Sequence, residues 1–220
     1  KAWACANRIE SVFDQQSSMQ YSKRNVQEDP TADVITFENV GLTYKNAGAE
    51  SLSNLNFSIH RGQTVGIIGG TGAGRTSLVN LIPRFYDASQ GRVLVNGVDV
   101  REYPQDQLRD KIGIVPQKAV LFGGSIADNL RWGKEDATRE EIMEALRISQ
   151  AEEFVEKREG GINAMVAQNG KNLSGGQRQR LTIARALVRK PEILILDDSA
   201  SALDYATDAK LRKAIRQMDP

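Results

Sequence analysis

The sequence predicts an α/β fold with a largely parallel central sheet. Apolar runs typical of buried strands alternate along the chain with segments typical of amphipathic helices. One β-branched apolar run, at 64–68, ends at a glycine-rich stretch from Gly69 to Ser77, as expected of a buried strand that leads into a loop. A second apolar run, from Ile193 to Leu196, is closed by Asp197. Together these observations favour buried strands that alternate with helices, as in an α/β fold.

The composition excludes several classes of protein. The chain has 220 residues, of which 40% are hydrophobic, so it can bury a core. Twenty-nine basic residues against 28 acidic residues give a net charge of +1, which does not favour a nucleic-acid partner or a polybasic membrane patch. A single cysteine, Cys5, cannot form an internal disulfide and fits a reducing cytosolic compartment. No run approaches the ~20 apolar residues that cross a bilayer.

The first 32 residues differ from the rest of the chain. Residues 1–20 have apolar positions at a helical spacing, which predicts a helix. This helix is either a frayed terminal helix or the cytoplasmic end of a helix from a preceding domain, and we favour the second interpretation. A polar linker, 21–32, rich in charged and turn-forming residues, follows it.

The remaining elements follow from local patterns. Apolar and β-branched runs predict strands at 34–37, 52–59, 64–68, 92–95, 112–115 and 192–196. Helical patterns predict helices at 77–82, across most of 125–157, at 174–188 and at 207–218. Thr138 is placed to cap a helix whose first turn is acidic.

The glycine-rich stretch has the spacing of a phosphate-binding loop, with Gly74, Arg75 and Thr76 at its end. Glycines let successive backbone N–H groups turn towards an anion, a basic side chain reaches the β- and γ-phosphates, and a hydroxyl ligates Mg²⁺. We therefore predict nucleotide contacts from Gly70, Thr71, Gly72, Ala73, Gly74, Arg75, Thr76 and Ser77, with Thr76 as a metal ligand. Arg75 stands where the pattern has lysine, and its longer, planar fork is expected to alter the phosphate geometry.

Polar residues at strand ends suggest the rest of an ATP site. Asp197 is predicted to hold Mg²⁺ directly or through water; the alternative is a buried structural aspartate. Asp198 stands where a glutamate would polarise the attacking water, and its side chain is one methylene shorter. Gln117 follows the predicted strand 112–115 and is expected to belong to the metal site, where it would sense Mg²⁺ and the γ-phosphate, unless it is simply a polar loop residue. Tyr44 is expected to stack on adenine or, alternatively, to be half-buried packing.

With these motifs in this order, the sequence resembles the nucleotide-binding domain of an ATP-binding cassette transporter of the exporter type. The stretch from Gly69 to Ser77 resembles Walker A, Gln117 the Q-loop, and Leu173-Ser174-Gly175-Gly176-Gln177 the LSGGQ signature. The run that ends at Asp197 resembles Walker B, and Ser201 to Asp204 the D-loop. The segment 125–130 is similar to the exporter form of the helical subdomain, and Tyr44 matches the A-loop aromatic.

The resemblance implies a specific architecture. It implies a P-loop NTPase core with an antiparallel β subdomain and an α-helical signature subdomain at about 118–175. The whole domain would span 33–220 and be C-terminally incomplete, because the segment that carries the switch histidine is absent. ATP and Mg²⁺ are the implied cofactors.

The resemblance also implies partners and an activity. Two such domains pair head to tail, so Ser174, Gly175, Gly176 and Gln177 would contact the ATP of a second nucleotide-binding domain. The pair would be an ATPase that drives efflux through transmembrane domains, at the cytoplasmic face of the membrane. Residues 118–135 would transmit motion to those domains.

Arg75 and Asp198 refine this expectation. A heterodimeric exporter of this family has one half with aspartate after Walker B, an intact signature and a degenerate ATP site, and this chain resembles that half. Asp198 and Gln117 would then occupy the catalytic positions of a site that hydrolyses ATP slowly. The alternatives are a regulatory nucleotide-binding module with negligible hydrolysis and a fully active half of a homodimeric exporter.

Overall fold

The computed structural model describes residues 2–45 and 48–218. The strands are β1 Ile35–Leu42, β2 Leu52–Ile59, β3 Gln90–Val95, β4 Val98–Asp99, β5 Ile112–Val115, β6 Gly124–Ser125, β7 Met165–Val166 and β8 Ile193–Leu196. The helices are α1 Ala2–Phe13, α2 Arg75–Leu81, α3 Gln105–Arg109, α4 Ile126–Arg131, α5 Arg139–Ile148, α6 Glu152–Glu156, α7 Gly175–Leu187 and α8 Tyr205–Arg216. Within the described residues, none of these helices combines the length and the apolar character needed to span a bilayer.

The first half of the chain forms an antiparallel sheet of four strands in the order β2-β1-β3-β4. Phe37 in β1 lies opposite Phe57 in β2 and opposite Val93 in β3. The two phenylalanine rings stack, with 4.5 Å between their centroids. This cross-strand packing fixes the register, because a slip by one residue would turn the apolar side chains away from the core.

The strands β5 and β8 pair in parallel, with Ile112 opposite Ile193 and Val115 opposite Leu196. The backbone pairing continues one residue further, since the N–H of Asp197 donates to the carbonyl of Val115 at 3.0 Å. The carboxyl ends of both strands therefore lie side by side. This arrangement brings together the polar residues that follow each strand.

Polar caps define where the helices of the second half begin. Ser125, Thr138 and Ser174 each accept a hydrogen bond from a backbone N–H three residues later, and each helix completes a reciprocal capping box. Asp204 caps α8 in the simpler way, with its carboxylate accepting from the N–H of Thr207. The threonine cap predicted at 138 is confirmed.

Two apolar clusters surround the parallel pair. One lies between the antiparallel sheet, α2 and α3 and includes Ile112 and Ile193. The other lies among α4, α5, α7 and α8 and includes Val115. The predicted α/β class, with a parallel core, an antiparallel β part and a helical part, is confirmed.

Several sequence predictions differ from the structure, among them the start of α2, which lies at Arg75 rather than at 77. The strand predicted at 64–68 is absent; the segment has no regular structure, and Ile68 is 98% exposed. An apolar run becomes a strand only when a neighbouring strand pairs with its backbone N–H and C=O groups. Within the described residues β8 pairs with β5, and no strand pairs with the segment 64–68. The helix predicted over 1–20 ends at Phe13, where the apolar positions stop. The last helix begins at Tyr205 rather than 207, because Asp204 is its cap. Lys1, in the helix predicted over 1–20, and residues 219–220, in the domain predicted over 33–220, lie outside the described residues.

The linker that follows α1 is bound to the domain. The backbone of Val26 both donates to and accepts from the side-chain amide of Gln107, at 2.9 and 3.0 Å. The ring of Tyr21 lies under the guanidinium groups of Arg84 and Arg109, with 4.8 and 5.7 Å to the ring centroid. The polar composition that predicted a linker therefore accompanies specific contacts with α3 and its neighbours.

Glu28 anchors the end of this linker to both parallel strands. Its carboxylate pairs with Lys111 at 2.9 Å, and Lys111 pairs with Glu192 at 3.4 Å. Lys111 immediately precedes β5, and Glu192 immediately precedes β8. The buried Tyr103 donates to the same carboxylate at 2.7 Å. The linker thus holds the amino ends of the two strands whose carboxyl ends carry the candidate site.

Candidate functional site

The glycine-rich loop connects to α2 through residues in the left-handed region. Gly72 has φ 80° and Gly74 has φ 81°, conformations that glycine adopts without steric cost. A Cβ at Gly74 would lie 2.8 Å from the carbonyl oxygen of Ser51 and 2.8 Å from the Leu52 side chain. The loop therefore lies against the start of β2, and residue 74 is restricted to glycine for two independent reasons.

The central contact of the site joins this loop to the end of β8. The hydroxyl of Thr76, in the first turn of α2, donates to Oδ2 of Asp197 at 3.1 Å. A hydroxyl and a carboxylate are oxygen ligands of the kind that Mg²⁺ prefers. Two of the three predicted metal-site residues, Thr76 and Asp197, are thus brought together, in a geometry that fits a shared divalent cation next to a phosphate-binding loop.

Gln117 and Asp198 form a second pair beside the first. Nε2 of Gln117 donates to Oδ2 of Asp198 at 3.4 Å, and both side chains are solvent-exposed. Asp198 has φ 49°, a left-handed conformation that aspartate tolerates better than most residues. The structure therefore places both predicted catalytic-position residues together, with the amide of Gln117 directed at Asp198 rather than at Thr76 or Asp197.

Tyr44 lies next to the phosphate-binding loop. Its hydroxyl donates to Oγ of Ser77 at 2.7 Å, and its ring meets Tyr86 edge to face with 5.0 Å between centroids. Tyr44 is half-buried, so part of its ring is available at the edge of the loop. The structure thus brings Tyr44 to the predicted site. The Ser77 hydroxyl is hydrogen-bonded to Tyr44, so it is less suited than the Thr76 hydroxyl to be a metal ligand.

The signature residues form the first turn of α7, which we call the signature turn (Ser174–Gln177). The hydroxyl of Ser174 accepts from the N–H of Gln177 at 3.2 Å, and Gln177 Oε1 accepts from the N–H of Ser174 at 3.1 Å. Among the described residues no hydrogen bond joins this turn to the phosphate-binding loop.

Loop 199–204, which includes the predicted D-loop, lies against the signature turn. The side chain of Gln179 accepts from the N–H of Ala202 at 2.9 Å and donates to Ser201 Oγ at 3.3 Å. Sequence reasoning missed Gln179, which follows the signature motif closely. The sequence shows only a polar residue at this position of α7, and its burial is seen in the structure alone.

Three arginines of α7 also escaped prediction. Arg178 donates to the carbonyl of Leu173 at 3.0 Å, and Arg180 donates to the carbonyl of Gln150 at 2.7 Å. Arg185 donates to the carbonyl of Val120 at 3.0 Å, and burial lowers the pKa of its guanidinium. Arginine remains charged at neutral pH despite such a shift. These three contacts fix α7 to the helical part of the domain.

A comparison with protein families supports this assignment of motifs. The family model described as "ABC transporter" matches residues 52–201, a range that contains the phosphate-binding loop, Gln117, the signature turn and both aspartates. The matched range covers well over half of the chain.

Relatives of the chain carry the same description. The chain is 42% identical over 215 residues to YfiB, an uncharacterized ABC transporter ATP-binding protein of Bacillus subtilis, covering 98% of this chain and 37% of YfiB. It is 42% identical over 184 residues to the ATP-dependent lipid A-core flippase of Chromobacterium violaceum, covering 84% of this chain and 32% of the flippase.

Among solved structures, the fold matches a bacterial Atm1-family ABC exporter with ATP bound. The TM-score is 0.88 and the sequence identity 33%, over 96% of this chain and 37% of the exporter chain. The chain therefore spans less than two fifths of each of these three proteins.

Proposed function

Because this chain belongs to the ABC transporter family and has the fold of its ATP-binding domains, we propose that it is the nucleotide-binding motor domain of a membrane exporter. The single observation that carries the proposal is the contact between Thr76 and Asp197, at 3.1 Å. It joins the glycine-rich loop to the acidic end of β8, which is the pair of elements needed to hold a nucleotide and a divalent cation. ATP with Mg²⁺ is the proposed ligand.

The residues divide the work of binding in this proposal. The backbone N–H groups of Gly70 to Gly74 receive the phosphates, and Arg75 places its charge beside them. Thr76 and Asp197 hold Mg²⁺, which neutralises charge on the phosphates, and Gln117 senses its presence. Tyr44, at the edge of the loop, offers an aromatic face to the adenine.

We propose that this chain's own site hydrolyses ATP slowly. The carboxylate of Asp198 is one methylene shorter than that of a glutamate, and it is already engaged by Gln117 at 3.4 Å. The exposed Arg75 replaces a compact ammonium by a planar fork. Both features support a degenerate site that retains ATP while a partner's site turns over.

The proposed partner is a second nucleotide-binding domain, with a heterodimer favoured over a homodimer. Among the described residues the signature turn makes no hydrogen bond with the chain's own phosphate-binding loop, which suits a ligand held by another domain. Ser174, Gly175, Gly176 and Gln177 would grip the partner's ATP, and loss of a γ-phosphate would loosen the pair.

The remaining partners proposed are transmembrane domains, with this chain at the cytoplasmic face of the membrane. Phe122 and Trp132, in the segment 118–135, are 44% and 69% exposed and pack against each other at 4.8 Å. An exposed aromatic pair favours docking of another protein segment. The fully exposed face of α1 supports a continuation of a preceding membrane helix.

The test measures ATP binding and phosphate release on the same sample. We expect saturable MgATP binding with negligible release by the chain alone, and a large rise in release for Asp198→Glu in the assembled pair. Asp198→Asn is the matched control and should give no rise in release above that of the unchanged pair. Brisk phosphate release by the unchanged chain would mean that its own ATP site is active, as in a fully active exporter half, and would overturn the proposal of a degenerate site. Absence of MgATP binding would overturn the proposed function itself.

A further inference from the structure

Gln179 is a buried polar residue that the proposed ATP chemistry does not use. Only 6% of it is exposed, and it lies in α7 just after the signature turn. Its side-chain amide makes two hydrogen bonds, both to loop 199–204: Nε2 to the hydroxyl of Ser201 and Oε1 to the N–H of Ala202. A buried amide with two partners in one loop specifies the position of that loop.

The backbone of α7 and the loop also approach closely. A Cβ at Gly176 would lie 3.1 Å from the carbonyl oxygen of Ala202, and one at Gly175 would lie 3.7 Å from the Ala202 Cβ. Gly176 of the signature turn therefore has a role inside this chain. It lets loop 199–204 pack against the turn at a distance that a larger residue would disturb, whereas at Gly175 a Cβ would make only an ordinary van der Waals contact.

Loop 199–204 is anchored at both of its ends. It begins directly after Asp197 and Asp198, which lie in the candidate site. It ends at Asp204, the cap of α8, where the N–H and hydroxyl of Thr207 donate to the carboxylate and lower its pKa. Between the ends, Leu203 packs against the helical core. Ala202 lies only four residues after Asp198 in this anchored loop, so the loop is a short path between the Gln179 contact and the candidate site.

We propose that Gln179 is a positioning residue that couples the signature turn to Asp198 of the same chain. The coupling runs from Ser174 through the first turn of α7, across the Gln179 amide to Ala202, and along loop 199–204 to the end of β8. Its meaning for transport rests on the proposed function, which makes the signature turn a contact surface for a partner's nucleotide. The two ATP sites of a pair would then communicate within one chain.

The coupling is tested by a double-mutant cycle that needs no nucleotide. Ser174→Ala removes the cap and loosens the signature turn. Hydrogen exchange of the full chain, followed by mass spectrometry, reports the amides of 174–178 and of 199–204 separately. In the otherwise unchanged chain we expect Ser174→Ala to speed exchange in both segments, by about threefold or more, since contacting residues couple measurably.

Gln179→Met keeps the length of the side chain and removes both hydrogen bonds. In this background, loop 199–204 should already exchange fast, and Ser174→Ala should then speed exchange in 174–178 alone. Gln179→Glu is the conservative variant that should restore the coupling, because its carboxylate can accept from both the Ala202 N–H and the Ser201 hydroxyl. An equal effect of Ser174→Ala on the loop in both backgrounds, or no effect in either, overturns the proposal.

Two further variants separate coupling from general weakening of α7. Thr182→Val removes a buried hydroxyl that donates to the Arg178 carbonyl at 2.9 Å in the same helix, and the coupling should survive it. If circular dichroism shows that Gln179→Met does not fold, Ser201→Ala removes one of the same two bonds from the loop side and replaces it in the cycle. Slowed exchange of 69–77 on adding MgATP tests the proposed function separately, so the two can fail independently.

Discussion

The side-chain hydroxyl of Thr76 donates a hydrogen bond to the carboxylate of Asp197, although the two residues are 121 positions apart. Thr76 lies in the first turn of α2 and Asp197 directly follows β8, so the contact exists only if both elements are in place. The two residues that make this structural contact are also the two proposed ligands of Mg²⁺.

Replacing this hydroxyl should make nucleotide binding independent of Mg²⁺. Thr76→Val keeps the shape of the side chain and removes the oxygen, so we expect ATP affinity in Mg²⁺ to fall about tenfold, as for loss of a bond to a charged group. In excess chelator the variant and the unchanged chain should bind alike. Fluorescent-ATP titrations in both buffers measure this difference.

Ser77→Ala is the matched control for that experiment. The Ser77 hydroxyl is already engaged by Tyr44 at 2.7 Å. Its removal should leave the effect of Mg²⁺ on affinity unchanged. If Ser77→Ala lost the Mg²⁺ effect and Thr76→Val kept it, Ser77 would be the metal ligand instead.

The two loop glycines 74 and 70 should respond differently to alanine. Gly74→Ala forces a left-handed φ of 81° on alanine and brings a Cβ within 2.8 Å of the Ser51 carbonyl oxygen. We expect it to lower the free energy of unfolding by about 1–3 kcal/mol. Gly70→Ala meets nothing within 4 Å and should leave stability unchanged. Thermal unfolding of the two variants in the absence of nucleotide checks this; similar melting temperatures would contradict the described loop geometry.

Ser174 has a structural role as well as a proposed ligand role, and two substitutions separate them. Ser174→Ala removes a helix cap and should cost about 1 kcal/mol of stability. Ser174→Asp preserves the cap, because aspartate is an equally good N-cap, so stability should be kept. The negative charge of the aspartate would repel the phosphates of ATP bound to the partner, so MgATP-dependent pairing with the second nucleotide-binding domain should be lost. Thermal unfolding and analytical ultracentrifugation with MgATP measure the two effects, and pairing by Ser174→Asp equal to that of the unchanged chain would remove the ligand role.

The linker contact at Glu28 predicts a dependence of stability on pH. Partial burial acts to raise the pKa of this carboxyl, but hydrogen bonds from Lys111, Tyr103 and Asn96 outweigh it, so the pKa lies below its ordinary value. A carboxyl with a lowered folded-state pKa stabilises the fold above its unfolded-state pKa of about 4.3, and this contribution is lost as pH falls through the folded-state value.

Glu28→Gln should therefore be less stable than the unchanged chain at pH 7, and the difference should shrink below about pH 4. Urea unfolding at both pH values measures this change. Glu50→Gln, at an exposed position, is the control and should show no such difference. A difference that persists undiminished in acid would mean that Glu28 acts through packing rather than charge.

Local patterns predicted those parts of the molecule that depend on local chemistry. The cap at Thr138 and the start of α7 at Ser174 need only neighbouring residues, and both are confirmed. Asp197 and Gln117 were each predicted to follow a strand, and the strands that precede them, β8 and β5, pair in parallel. Their roles towards Mg²⁺ and the γ-phosphate remain predictions.

Features that depend on distant partners escaped prediction. The apolar run at 64–68 looked like a buried strand, yet strand formation depends on a neighbouring ladder that no local pattern encodes. Gln179 contacts residues 22 and 23 positions away, and Val26 contacts a residue 81 positions away. Neither glutamine nor valine carries a signal for such contacts in the sequence alone.

The attachment of the linker changes where the domain should be cut for expression. Trimming the chain to begin at residue 33 would follow the sequence motifs, but it would discard Tyr21, Val26 and Glu28. Lys111 and Glu192 would then keep each other as partners, while Tyr103 would lose the Glu28 carboxylate and keep the Val95 carbonyl, also at 2.7 Å, as an acceptor. The smallest unit that we expect to fold with full stability therefore begins near Met19. Removal of α1, whose described side chains are all exposed, should leave its melting temperature unchanged.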